Sequence, residues 1–167
     1  MTVRVTTREE LAGTVDEVHA LFTDRAFQEA KCAATTDEGG RFSVDIGPGR
    51  AGERVSTTRL LPSDGLPDFA RSFVGERLTV IEVHEWSGPA ADGSRESAVD
   101  LHVKGAPLTL KGTLRLVPSG TRTLELLDAE LKANVPFIGG KIEQSAAGPI
   151  NAAIEIETSL LREWLAR

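Results

Sequence analysis

The sequence predicts an α+β fold, a run of hairpin-connected strands carrying one long C-terminal helix, on three observations. From Ile138 to Arg167, the residues Ile138, Ile142, Ala146, Ile150, Ala153, Ile154, Glu157, Leu160, Leu161 and Trp164 recur at helical spacing, which sets them on one face. Between Gly39 and Val135, alternating apolar and polar runs broken by Gly and Pro read as strands. Two turn signals then place a continuous apolar face on the last three strands, and that face is the surface a long amphipathic helix needs.

The elements follow in order. Val3, Val5 and Thr7 alternate with Arg4 and Thr6, giving a first strand. Thr14-Val15-Asp16-Glu17 is a capping box that opens a short helix bearing Val15, Val18, Leu21 and Phe22. Asp24 is placed to cap a second short helix containing Phe27 and Ala30. Phe42, Val44 and Ile46 then alternate, Gly47-Pro48-Gly49 reads as a turn, and Glu53 to Leu61 is extended. Pro62 to Gly75 interrupts the strands, and within it Asp68 to Val74 has room for about two helical turns with Phe69 and Phe73 on one side. Four further strands are expected at 77–86, 96–104, 108–117 and 121–135.

Turn chemistry sets an expected register. Gly105-Ala106, with Gly first, fits a type II′ turn and pairs Val103 with Leu108, Leu101 with Leu110 and Val99 with Gly112. Ser119-Gly120 as the next turn pairs Leu116 with Thr123, Gly112 with Leu127, Leu110 with Ala129 and Leu108 with Leu131. One face is then apolar, through Val99, Leu101, Val103, Leu108, Leu110, Leu114, Leu127, Ala129 and Leu131. The other carries Asp100, Lys111 and Asp128 as an alternating-charge ladder, worth ~0.2–1 kcal/mol per cross-strand pair.

Composition narrows the function. The 167 residues read as a single domain spanning 1–167, with 40% hydrophobic content and no internal repeat. A net charge of −6 argues against nucleic acid as a partner and against charge-driven binding to an acidic membrane. No stretch approaches the ~20 apolar residues of a membrane span, so no stable membrane insertion is expected. Cys32 is the one cysteine, which leaves no internal disulfide and no cysteine-based zinc site. A reducing cytoplasm is the expected location. No metal and no cofactor are expected, because HExxH, CxxC, Walker, GxGxxG and GxSxG patterns are all missing.

A strand, two short helices, a meander of strands and a long terminal helix resemble the START-like, or SRPBCC, superfamily. The segments most alike are Leu66–Gly75, Glu82–Trp86 and Val135–Glu143, and the chain is most similar to a largely actinobacterial domain-of-unknown-function family related to the polyketide cyclases. The resemblance implies a helix-grip fold, in which the curved sheet wraps the last helix around a cavity. Gly148-Pro149 departs from a regular helix there, and proline removes a hydrogen bond and crowds the preceding turn, so a kink is expected near 145–149.

Expected cavity residues are Phe69, Phe73, Trp86, Leu101, Leu110, Gly112, Leu127, Ala129, Ile142, Ala146 and Ile150. Phe69 and Phe73 read either as a lid or as core packing, and Gly112 either as a point of sheet curvature or as space for a helix or ligand. Trp164, like Trp86, reads as a large core or cavity-wall residue. Alternation assigns Glu85 and Glu125 to the apolar side near one end of the sheet, where each reads either as a strand-end carboxylate that reaches water or as a poorly solvated one with a raised pKa suited to acid–base work. If Ile81 and Val83 face the core, Glu82 and His84 belong to a solvated outer face with Asp100, His102 and Lys104. His19 reads as a surface or boundary residue, and Arg71 and Arg77 as surface arginines or anchors for an anion. The expected function is binding of a small hydrophobic, lipid- or polyketide-like molecule. Two alternatives stand beside it: a cyclase- or aromatase-like enzyme, and a chaperone-like or protein-interaction module with a filled core. Any cavity is expected beside the small-residue half of the last helix, before Gly148. The oligomeric state stays open.

Overall fold

The computed structural model describes residues 2–37, 40–64 and 66–167, with the Phe73 side chain outside that description. Its elements are β1 (Val3–Leu11), α1 (Val15–Phe22), α2 (Arg25–Thr35), β2 (Phe42–Pro48), β3 (Glu53–Pro62), α3 (Asp68–Val74), β4 (Arg77–Trp86), β5 (Arg95–Val103), β6 (Leu108–Ser119), β7 (Arg122–Ala133) and α4 (Gly139–Leu165). The strands form one antiparallel sheet in the order β1-β7-β6-β5-β4-β3-β2. The two helices α1 and α2, with the C-terminal part of α4, pack on the inner face of the sheet, against Val55, Trp86, Val99, Leu114 and Leu116.

Local chemistry explains the helix starts. The Thr14 hydroxyl accepts the Glu17 amide at 3.2 Å, and the Glu17 carboxylate accepts the Thr14 amide at 3.4 Å. Asp24 accepts the Phe27 amide at 3.0 Å. Each supplies an acceptor for a helix-end N–H that has no partner within the helix.

The β5–β6 register is the expected one, with Leu101 opposite Leu110 and Val99 opposite Gly112. Its turn differs: Gly105, at φ 80°, is the third residue of a turn closed by the Ala106 amide on the Val103 carbonyl, the place type II reserves for glycine. The β6–β7 register lies two residues from expectation. Ser119 pairs with Arg122, so Gly120-Thr121 forms the loop with Gly120 at φ 63°, and Gly112 faces Ala129 rather than Leu127. A shift of two leaves every side chain on its face, so the apolar surface survives. On the outer face the ladder runs Asp100–Lys111–Glu130–Arg4. Asp128 joins it through Arg4, 2.7 Å away, and not through Lys111. The β2–β3 turn spans Gly49 to Gly52, one step beyond the expected Gly47-Pro48-Gly49, because Pro48 still pairs with Glu53.

Gly112 serves the sheet. A Cβ there would run into the Asp128 carbonyl and Ala129 of the adjoining strand, so the missing side chain lets β6 and β7 approach. α4 passes unbroken through Gly148-Pro149. Its N-terminus is docked by two residues of the Val135–Glu143 segment. A Cβ on Gly139 would lie 2.6 Å from the Ala133 carbonyl, and the fully buried Glu143 accepts the Ala133 amide at 2.8 Å. The main core gathers Leu11, Val15, Val18, Phe22, Phe27, Trp86, Leu116 and Leu161 beneath α1 and α2. A second cluster, Val5, Leu110, Ala129 and Leu131, packs against Ala146, Ala147, Ile150 and Ile154 of α4. No helix among the described residues is long and apolar enough to cross a membrane.

Candidate functional site

Between the sheet and α4, beyond the packed core, lies a cavity of about 310 Å³. Its walls are aliphatic: Leu78 and Val80 from β4, Val99, Leu101 and Val103 from β5, Leu108, Leu110 and Leu114 from β6, and Leu127 from β7. α4 contributes Ile142, Ser145, Ala146, Pro149, Ile150, Ala153, Ile154 and Glu157. The α3 region and the β5–β6 turn border the far end with Leu66, Ala70, Val74, Ala106 and Pro107. The cavity thus runs along both halves of α4, past Gly148-Pro149 to Glu157, and is not confined to the thinner first half.

Of the expected lining residues, Leu101, Leu110, Leu127, Ile142, Ala146 and Ile150 face this space. Trp86 belongs to the packed core and Ala129 to the sheet–helix cluster. Gly112 and Phe69 are not on the walls, and α3 presents Ala70 and Val74 instead. The Phe73 side chain lies outside the described residues. Arg71 pairs with Asp68 on the surface of α3, away from the cavity.

The largest correction concerns β4. His84 pairs with Val99, Glu82 with Leu101 and Val80 with Val103. Cross-strand partners share a face, so Glu82 and His84 point inward with Trp86, while Ile81 and Val83 turn outward. Glu85 consequently leaves the interior and pairs with Arg54 at 2.9 Å on the other face. Its role as a cavity acid–base residue falls with that placement. His19 is also buried, 3.2 Å from Glu53 and edge-on to Trp86. Burial, with Arg95 nearby, keeps its pKa below the ordinary value.

Glu82 and His84 meet side chains from α2, β3, β5 and α4 to form a polar floor, where the cavity borders the core. Lys31 of α2 is 3% exposed. Its ammonium lies 3.0 Å from Glu157 of α4 and 3.3 Å from Glu82. Arg59 of β3 gives one arm to Thr35 at 2.8 Å and lies 3.6 Å from Glu82 with another, leaving Nε without a partner among the described residues. His84 stands between Glu82 at 3.4 Å and the Ser97 hydroxyl at 3.3 Å. Burial alone would pull the Lys31 pKa down, but Glu157 and Glu82 hold it above its ordinary value. Burial likewise opposes ionisation of Glu82, and Lys31, His84 and Arg59 overcome it, so that carboxyl stays ionised well below the usual range. Two cations and two anions therefore balance inside the protein.

Glu125 of β7 completes the floor and behaves differently. It is 2% exposed, lines the cavity, and its Oε2 is buried without a hydrogen-bond partner among the described residues. Burial, then the negative charges of Glu157 and Glu9, push its pKa up to about 8. Near neutral pH it is a carboxylic acid, with an O–H to donate.

Sequence reasoning set Glu125 on the inner side and named six of the wall residues, but did not bring together Lys31, Arg59, Glu82, His84 and Glu157. One signal was present: Trp86, His84 and Glu82 share parity, so a buried Trp86 carries the other two inward.

The chain has relatives of similar length. It is 27% identical over 160 residues to the uncharacterised protein Rv0481c of Mycobacterium tuberculosis, covering 92% of this chain and 91% of that one. Its fold is like that of the Zhui aromatase/cyclase from Streptomyces sp. R1128, at 13% identity and a TM-score of 0.60 over 100% of this chain and 95% of that one. It is also like norcoclaurine synthase from Thalictrum flavum, in complex with dopamine and hydroxybenzaldehyde, at 15% identity and a TM-score of 0.53 over 98% and 88%. These likenesses identify the helix-grip architecture of the START/SRPBCC proteins. Residues 6–165 match the model of one family, and the chain belongs to it: the family described as protein of unknown function (DUF2505).

Proposed function

We propose that this protein binds a small, mostly hydrophobic molecule, lipid- or polyketide-like, in the cytoplasm. One observation carries the reading: a cavity of about 310 Å³ with aliphatic walls ends on a polar floor. That volume is at the lower end of small-molecule sites, roughly 300–1,000 Å³, and such sites combine apolar walls with a few fixed polar groups. A filled-core interaction module does not account for this space.

Two measurements test the reading. Native mass spectrometry of protein purified from its own host is expected to show retained small-molecule mass. Filling the cavity with Ala153→Leu is expected to weaken binding of an apolar probe such as 2-acetylnaphthalene by at least tenfold while leaving the fold intact. No retained mass together with no probe binding overturns the proposal.

A second reading, cyclase-like catalysis, is favoured specifically by Glu125. A carboxyl with a pKa of about 8 is protonated at neutral pH and suited to general-acid work on a carbonyl substrate. Turnover of a linear poly-β-carbonyl substrate, lost in a folded Glu125→Gln variant, is the result this reading requires. Turnover unaffected by the substitution removes Glu125 from the chemistry.

A further inference from the structure

The polar floor restricts what the cavity can hold. Both cations are committed: Lys31 to Glu157 and Glu82, Arg59 to Glu82. An anionic ligand would add an unmatched charge beside Glu157 between aliphatic walls, and an unpaired buried charge is costly. Glu125 meanwhile lines the same cavity, and its Oε2 is buried with no hydrogen-bond partner among the described residues. A buried polar atom left unpaired carries a penalty that a suitably placed ligand group removes. We propose that the cavity selects uncharged molecules bearing a hydrogen-bond acceptor, a ketone, ester or similar oxygen, which meets the Glu125 carboxyl at the polar floor. This rests on the ligand-binding reading above and deepens it from a hydrophobic molecule to a neutral, oxygen-bearing one.

The groups facing Glu125 set its response to pH. Glu157 and Arg162 approach from α4 and Glu9 from β1, and Arg162 is held by Glu9 at 2.7 Å. Two carboxylates against one shared guanidinium favour the protonated acid, the form that donates. Ionisation removes the donor and places a second anion by the ligand, so acceptor binding weakens as pH rises past about 8.

Three probes of one size separate the possibilities: naphthalene, 2-acetylnaphthalene and 2-naphthoate, titrated against the full chain at pH 7 by NMR chemical shifts. The ketone is expected to bind about five- to tenfold more tightly than the hydrocarbon, the scale of one buried hydrogen bond, and more tightly than the carboxylate. Glu125→Leu is expected to erase the ketone's advantage and keep naphthalene binding. Glu125→Gln, which retains a donor, is expected to preserve the advantage and make it independent of pH between 6.5 and 9.5. Preference for 2-naphthoate, or a ketone advantage that survives Glu125→Leu, overturns the assignment while leaving a ligand-binding cavity. Binding of none of the three overturns the cavity reading and this inference together.

Discussion

The Lys31 ammonium lies 3.0 Å from the Glu157 carboxylate, tying α2 to α4 across the inner face of the sheet. A third group, Glu82 at 3.3 Å, brings β4 into the same contact. Three elements far apart in the chain thus converge on one amine.

Lys31→Met leaves Glu157 unmatched and Glu82 with Arg59 and His84 only. Removing one partner of a buried ion pair costs about 3–5 kcal/mol, so urea unfolding should show a loss of that order. The double variant Lys31→Met/Glu157→Gln keeps the Arg59–Glu82 pair balanced and is expected to regain at least half of it. A double variant no better than the single one would show that the charges do not act as a set.

Stability should fall with rising pH through Glu125. Its folded pKa of about 8 stands above the ordinary 4.5, so between those values the folded protein binds a proton that the unfolded chain has lost. Unfolding then releases no benefit at low pH and becomes progressively easier as pH rises, at up to about 1.4 kcal/mol per pH unit for one proton. The effect levels off above pH 8. Glu125→Gln is expected to flatten this part of the profile in denaturation measured from pH 5 to 9, and an unchanged slope would assign it elsewhere.

Gly112→Ala places a methyl against the Asp128 carbonyl and Ala129 of β7. Backbone cannot yield as a flexible side chain does, so a loss of about 3 kcal/mol is expected, seen as a lowered Tm. Because Gly112 is not on the cavity wall, probe affinity in the folded fraction should be unchanged.

Phe137, between β7 and α4, is fully exposed and sits at φ 69°. A bulky residue in the left-handed region is strained, and exposure gives it no packing in return. Phe137→Gly is therefore expected to raise stability by about 1 kcal/mol in chemical denaturation. A loss of stability would mean that the aromatic ring makes a contact that offsets the strain.

Much of the fold was legible because local chemistry determined it. The Thr14–Glu17 box and the Asp24 cap need only residues within one turn, and the face shared by Val99, Leu101, Leu110 and Leu127 needs only alternation. Even the β6–β7 misplacement, two residues at Gly120, left that face intact. β4 was misread because Ile81 and Val83 look more apolar than Glu82 and His84, and alternation ranks residues by their own character. Lys31 lies 51 residues from Glu82 in the chain, and Glu157 lies farther still, so the partners that make an inward Glu82 tolerable are invisible to any local window. The cavity floor was hidden for the same reason. Glu125 was found because its strand neighbours Leu127 and Ala129 fixed its side, whereas Glu85 inherited the error in β4.

The balance among Lys31, Arg59, Glu82 and Glu157 also constrains how this interior can change over generations. With two charges of each sign buried together, a single substitution that alters charge strands an ion, so these positions can be exchanged only as matched pairs. Descent through such a site is stepwise in twos: the walls of the cavity can drift one methyl at a time, while its floor must be rewritten by compensated moves or kept as it is.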